Sequence, residues 1–125
     1  MFGYEDVEPL QLQELLQAEE ILLIDVRTPT ESARGGIPGA RNIPLHLLPL
    51  RKEELSDDRT VVFYCQSGNR SAQACAFMTG QGRRKVFNLG NCSRRCPTSA
   101  IRGVVRGGIL AWLQCGQPVA SAYLN

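Results

Sequence analysis

Short continuous apolar runs alternate along this chain with longer stretches in which apolar residues recur at helical spacing. Residues 21–26, Ile-Leu-Leu-Ile-Asp-Val, make one such run, Thr60-Val61-Val62-Phe63-Tyr64 a second, and Val86 to Leu89 a third. Runs of this kind read as strands buried on both faces, as in a parallel sheet with helices above and below. Before the first run, Glu8-Pro9 opens a helix with Pro at its first position, and Leu12, Leu15 and Leu16 supply its apolar stripe. Thr28-Pro29-Thr30-Glu31 reads as the start of a short helix, Ala40 to Ile43 as a short strand, and Leu45 to Leu55 as helical turns broken by Pro49. A helical pattern follows Ser71, and a last helix is expected to begin at Gly107 or Gly108 and run through Trp112. Strands alternating with helices predict an α/β domain whose central sheet is mostly parallel and flanked by helices.

At 125 residues and 43% hydrophobic, the chain suits one globular domain spanning 1–125. Its N-terminus has no basic segment followed by an apolar one, and no apolar run reaches the roughly 18 residues of a membrane span. A cytoplasmic protein without membrane contact is expected. The net charge of +2 conceals an asymmetry: residues 1–58 hold all 12 acids and 5 bases, whereas residues 59–125 hold 9 bases and no acid. The basic half is expected to give an electropositive site mouth that steers small anions. It lacks interleaved aromatics or a recognition helix, so nucleic acid is not the expected partner. Five cysteines, an odd number, argue against a disulfide scaffold and for a reducing compartment.

The candidate chemistry sits where the second run ends. Cys65 is followed by Gln66-Ser67-Gly68-Asn69-Arg70-Ser71, small or polar residues that form a tight loop before the next helix. A Cys closing a buried strand is more often a small core hydrophobe than a catalyst. The loop reverses that judgement. Gly68 permits positive φ where successive amides converge on one point, the helix N-terminus adds its positive dipole end, and the loop contains no Asp or Glu. Such surroundings lower a thiol pKa from near 8.5 to about 3.5–7.5, so Cys65 is expected to be a thiolate at neutral pH. Arg70 in the first turn opposes the helix dipole, a mismatch that calls for an anionic partner.

The ordered motifs Leu22-Leu23-Ile24-Asp25-Val26-Arg27, Ile37-Pro38-Gly39-Ala40-Arg41-Asn42-Ile43-Pro44 and CQSGNRS together resemble a single-domain rhodanese. The resemblance implies a three-layer domain around a five-stranded sheet. It also implies sulfur transfer: Cys65 takes the outer sulfur of thiosulfate or a similar donor as a persulfide and passes it to cyanide or another thiophile. On this reading the loop amides from Gln66 to Ser71 stabilise the persulfide, and Arg70 attracts the donor and holds the thiolate form. Gln66, Ser67 and Asn69 tune access. Asp25 and Arg27 are expected to support the loop through an ion pair or backbone hydrogen bonds, with Glu31 a possible third member. No cofactor beyond the covalent persulfide and no metal is implied. The partners are a small anionic sulfur donor, a thiophilic acceptor and, as an alternative, a protein sulfur acceptor served by a persulfide carrier. A thiol redox sensor pairing Cys65 with Cys92 or Cys96 is a further alternative. Only four residues separate Cys65 from Arg70, and the resembling phosphatases use a longer loop, so phosphatase or arsenate reductase is a minor reading.

Two departures from the family pattern stand out. Gly35-Gly36-Ile37-Pro38 replaces a common Gly-His-Ile-Pro, and Ser32 stands where an aromatic is usual, from which looser packing is expected. Residues 91–106 look inserted; they carry four Arg, no acid, and the pair Cys92 and Cys96. Two Cys without a nearby His are too few for a closed zinc site. The insert is expected either to border the active site or to be a surface loop without function. His46 is expected at the surface, Phe77 and Trp112 in the core, and Cys75 and Cys115 as inert structural thiols.

Overall fold

The computed structural model of the protein describes residues 4–18, 20–55, 59–89 and 109. Five strands form one sheet: β1 (Glu5–Val7), β2 (Ile21–Asp25), β3 (Arg41–Asn42), β4 (Thr60–Tyr64) and β5 (Val86–Leu89), in the order β1-β5-β4-β2-β3. Every neighbouring pair runs parallel. Helices α1 (Pro9–Ala18), α2 (Pro29–Arg34), α3 (Leu48–Arg51) and α4 (Asn69–Gly80) complete the described architecture, with 3₁₀ turns at Leu45–Leu47 and Lys52–Leu55 on either side of α3. The α/β expectation holds, with the sheet wholly parallel among the described residues. β1 was not foreseen: its three residues, Glu-Asp-Val, are too few and too polar to show a pattern, and only pairing with β5 makes them a strand.

The pleat divides the core in two. Leu22 and Ile24 of β2, Val61 and Phe63 of β4, and Val86 of β5 face one side, where Ala74, Cys75 and Met78 of α4 and Leu48 of α3 cover them. Leu23, Val62, Tyr64 and Leu89 face the other, covered by Leu12 of α1 together with Ile37 and Ile109. All five residues of β4 are buried because that strand lies in the middle of the sheet with both faces covered. Central position is what places Cys65, the residue after β4, at the sheet's C-terminal edge with only 1% of its surface exposed. Open parallel sheets form their sites at that edge.

The side-chain expectations divide as follows. His46 is exposed in its 3₁₀ turn, Phe77 is half-buried against the core, and Cys75 is fully buried with its thiol donating to the Phe87 carbonyl at 3.4 Å. Trp112, Cys115, Cys92 and Cys96 lie outside the described residues, as does the 91–106 insert. The nearest described residues on either side are Leu89, which ends β5, and Ile109, whose amide donates to the Cys65 carbonyl at 2.8 Å. Among the described residues no helix is long and apolar enough to cross a membrane.

Looser packing at Gly36 is not what the structure shows. A Cβ at Gly36 would stand 3.0 Å from the Tyr64 hydroxyl and 3.6 Å from both the Arg27 guanidinium and the Asp25 carboxylate. The Tyr64 hydroxyl fills that space and accepts the Ile37 amide at 3.0 Å, so it cannot retreat without orphaning a buried N–H. The two positions are therefore matched. Gly36→Ala is expected to destabilise the fold by about 1–3 kcal/mol through overpacking, and Tyr64→Phe by a comparable amount through the unpaired amide. Because both act on one contact, the double variant should cost less than the sum in urea unfolding; strict additivity would mean that Gly36 and the hydroxyl do not compete for space.

Candidate active site

Asp25 and Arg27 build the corner on which the site rests. Arg27 lies against the Asp25 carboxylate with Nε at 2.9 and 3.1 Å and NH2 at 2.7 Å, its backbone N–H donates to the same carboxylate at 2.9 Å, and NH2 also reaches the Gly35 carbonyl at 2.6 Å. Both residues are buried, and the guanidinium stacks over the Tyr64 ring at 5.6 Å. Asn42 ties this corner to β3, donating to the carbonyls of Asp25 and Arg27 at 2.9 and 3.0 Å. A buried ion pair so fully hydrogen-bonded avoids an uncompensated charge and fixes local geometry. The Asp25–Arg27 ion pair expected from the sequence is present, its contacts run to Gly35 and Asn42, and Glu31 is not its third member.

The Cys65 loop closes around the sulfur from the other side. Gly68 adopts φ 101°, a left-handed conformation natural only to glycine, immediately before α4. This turn aims the Gly68 amide at Cys65 Sγ at 3.1 Å, and the first turn of α4 brings the Ser71 amide to 3.4 Å. Burial raises the Cys65 pKa, but hydrogen bonding from Ser71 and from the amides of Gly68 and Ser67 outweighs it and holds the thiol below its ordinary value. The hydroxyl's share depends on where its single proton points, since Ser71 Oγ lies 3.5 Å from the sulfur and 2.5 Å from Asn88 Oδ1. Gln66 and Asn69 are exposed around the loop, and Ser67 is half-buried.

Arg70 lies beside this ring, yet its guanidinium is engaged. NH1 and NH2 donate to the two carboxylate oxygens of Glu31 at 2.8 and 3.0 Å. Glu31 is held in turn by a capping box on α2: Thr28 Oγ1 accepts the Glu31 amide at 3.2 Å, and Glu31 Oε1 accepts the Thr28 amide at 3.0 Å. The Arg70 hydrogen bonds lead in bringing the Glu31 pKa down to about 2. The anion that the misplaced Arg70 called for is thus supplied from within the chain. Thr28-Pro29-Thr30-Glu31 carried the capping signature, but nothing in its spacing told that Glu31 would face a loop 39 residues further on. Asn88 is the other residue the sequence did not single out; it lay inside an apolar strand run, where its contact with Ser71 had no local signal.

Cys75, on α4 behind the site, is a contrasting thiol. Burial, reinforced by the charges of Asp6 and Cys65, pushes its pKa far up, which leaves it inert.

Comparison with known proteins agrees with this geometry. The family model described as a rhodanese-like domain matches residues 8–91. A sulfurtransferase of Allochromatium vinosum is 44% identical over 109 residues, 87% of either chain. A thiosulfate sulfurtransferase of Ectopseudomonas mendocina is 32% identical over 89 residues, 71% of this chain and 81% of that protein. Among solved structures, a rhodanese-related protein of Thermoplasma volcanium superposes with a TM-score of 0.73 at 29% identity, covering 94% of this chain and 98% of its own. The match in family, sequence and parallel five-stranded sheet places this chain in the rhodanese-like domain family.

Proposed function

We propose that the protein is a sulfurtransferase in which Cys65 carries the transferred sulfur as a persulfide. The observation that carries this reading is the pair of amides, Gly68 and Ser71, directed at a buried Cys65 Sγ. In the first half-reaction the thiolate attacks the outer sulfur of thiosulfate. A new S–S bond forms, the old one breaks, and sulfite leaves with the electron pair. In the second, a thiophile such as cyanide attacks the terminal sulfur, and the S–S electrons return to Cys65 Sγ as thiocyanate departs. Amide donors suit both the resting thiolate and the anionic persulfide, and they need no reorganisation between the two. The sulfurtransferase names borne by the Allochromatium and Ectopseudomonas relatives support the same reaction class.

Arg70 and Glu31 give this chemistry its entry step. A dianionic donor approaching the loop competes with the Glu31 carboxylate for a guanidinium that presents two parallel N–H groups. Gln66, Ser67 and Asn69 form the part of the loop nearest solvent, where they would bear on access. The cost of displacing Glu31 makes thiosulfate a harder donor to bind than an unpaired Arg70 would allow.

Thiocyanate formation from thiosulfate and cyanide should fall to the uncatalysed rate in Cys65→Ser; equal rates for the two proteins would reject Cys65 as the nucleophile. Glu31→Gln should lower the KM for thiosulfate, and an unchanged or higher KM would show that Glu31 does not compete with the donor. The same variant has a stability signature. The Glu31 pKa lies at about 2 in the folded protein against 4.5 for the free side chain, so its stabilisation is fully present above pH 4.5 and is lost as pH falls toward 2. Glu31→Gln should therefore be less stable at neutral pH and lose less stability across that acid window, as followed by urea unfolding at each pH.

A further inference from the structure

Asn88 is a polar residue that β5 sends into the α4 side of the core, and only 6% of its surface is exposed. It meets Ser71, which is fully buried behind Cys65. A serine hydroxyl has one proton and two lone pairs. Ser71 Oγ has two neighbours competing for that proton, Asn88 Oδ1 at 2.5 Å and Cys65 Sγ at 3.5 Å. A carbonyl oxygen can only accept, so at the shorter contact the Ser71 proton goes to Asn88. What Ser71 Oγ then turns toward the sulfur is a lone pair. A lone pair suits an S–H proton or the neutral inner sulfur of a persulfide, and it does not support a thiolate. The amides of Gly68 and Ser71, with that of Ser67, are the donors that remain.

We propose that Asn88 is a positioning residue for the reactive sulfur: by accepting the Ser71 proton it keeps that hydroxyl from donating to Cys65 Sγ, and so holds the sulfur's basicity above the value the loop would otherwise impose. The consequence for turnover rests on the sulfurtransferase reading. There Cys65 is the nucleophile in one half-reaction and the leaving group in the other. A less basic sulfur attacks more weakly and departs more readily. Asn88 sets the compromise toward attack and toward retention of the persulfide. The ionisable groups that bear on the sulfur are Arg70 and Cys75, both on α4, with Glu31 of α2 bound to Arg70 and Asp25 of β2 acting on the same guanidinium. An uncharged replacement at Asn88 leaves all of them in place.

The test is the pH midpoint for alkylation of Cys65 by iodoacetamide, read from the Cys65 peptide by mass spectrometry so that other thiols do not contribute. Asn88→Leu keeps the size and removes the acceptor, which frees the Ser71 proton for the sulfur. A hydrogen bond donated to a charged group changes a pKa by roughly one unit, so the midpoint should fall by about that much. In a Ser71→Ala background the same Asn88→Leu change should shift nothing, because the hydroxyl that transmits the effect is gone. Asn88→Asp keeps an oxygen facing Ser71, and its midpoint should not fall. A midpoint unchanged or raised in Asn88→Leu, or an equal fall with and without the Ser71 hydroxyl, overturns the proposal. Asn88→Ala removes the same acceptor and answers the question should the leucine variant fail to fold. Alkylation needs no sulfur donor, so this result and the thiocyanate assay on Cys65→Ser can fail independently.

Discussion

Stabilising a buried sulfur atom against its own desolvation is the constraint around which this site is arranged. Desolvation alone would keep the Cys65 thiol neutral, as it does at Cys75, which lies ten residues further along the chain and just as deep. What separates the two is the backbone. Cys75 is mid-helix, where nearby amides are already engaged in the α4 ladder, and its own thiol donates to a carbonyl. Cys65 lies where a strand has ended and a helix has yet to begin, so the first amides of α4 have no helical acceptor. Sulfur takes that role. The site therefore depends less on any charged side chain than on the turn at Gly68, which a residue bearing a Cβ would strain.

The remaining structure keeps that turn in register. β4 runs through the centre of the sheet and delivers Cys65 to a fixed height, while α4 packs Ala74, Cys75 and Met78 against the same face. Helix and strand cannot slide past one another without opening both core and loop. The Asp25–Arg27 corner does the equivalent for the neighbouring strand, locking the segment after β2 to Gly35 and β3. The Ile109 amide caps the Cys65 carbonyl from the opposite face, so Cys65 is held through its own backbone as well as through its sulfur.

Much of this was legible in the sequence, and the reasons differ by element. The buried strands announced themselves as continuous apolar runs, since both faces of a central parallel strand must be apolar. Gly68 and the absence of acids in its loop pointed to a backbone-built anion site. The contacts that could not be read were those joining side chains distant along the chain. Glu31 was visible as a capping residue, but its second partner, Arg70, depends on how α2 sits against the α4 terminus. Tyr64 looked like an ordinary apolar position. Its hydroxyl turns out to occupy the space where the family pattern puts a larger residue at position 36. Asn88 read as a lone polar residue in a strand, and its meaning lies wholly in its contact with Ser71 across the helix–sheet interface.

The charge asymmetry takes on a different sense in the folded protein. Taken by halves, the chain leads one to expect an electropositive site mouth. The fold draws Glu31 out of the acidic half and seats it on Arg70, a cation of the Cys65 loop. Two exposed charges would gain little by pairing, but this pair is about two-thirds shielded on both sides, and the carboxylate is fixed by its own helix cap. Among the described residues the Arg70 charge beside the Cys65 loop is thereby offset, and the amides of Gly68 and Ser71 are directed at the sulfur itself. Any other anion that reached this guanidinium would compete with a carboxylate of the same chain. An anion that cannot form two parallel hydrogen bonds is the weaker competitor, so the pairing sets a geometric condition on what Arg70 can take in place of Glu31.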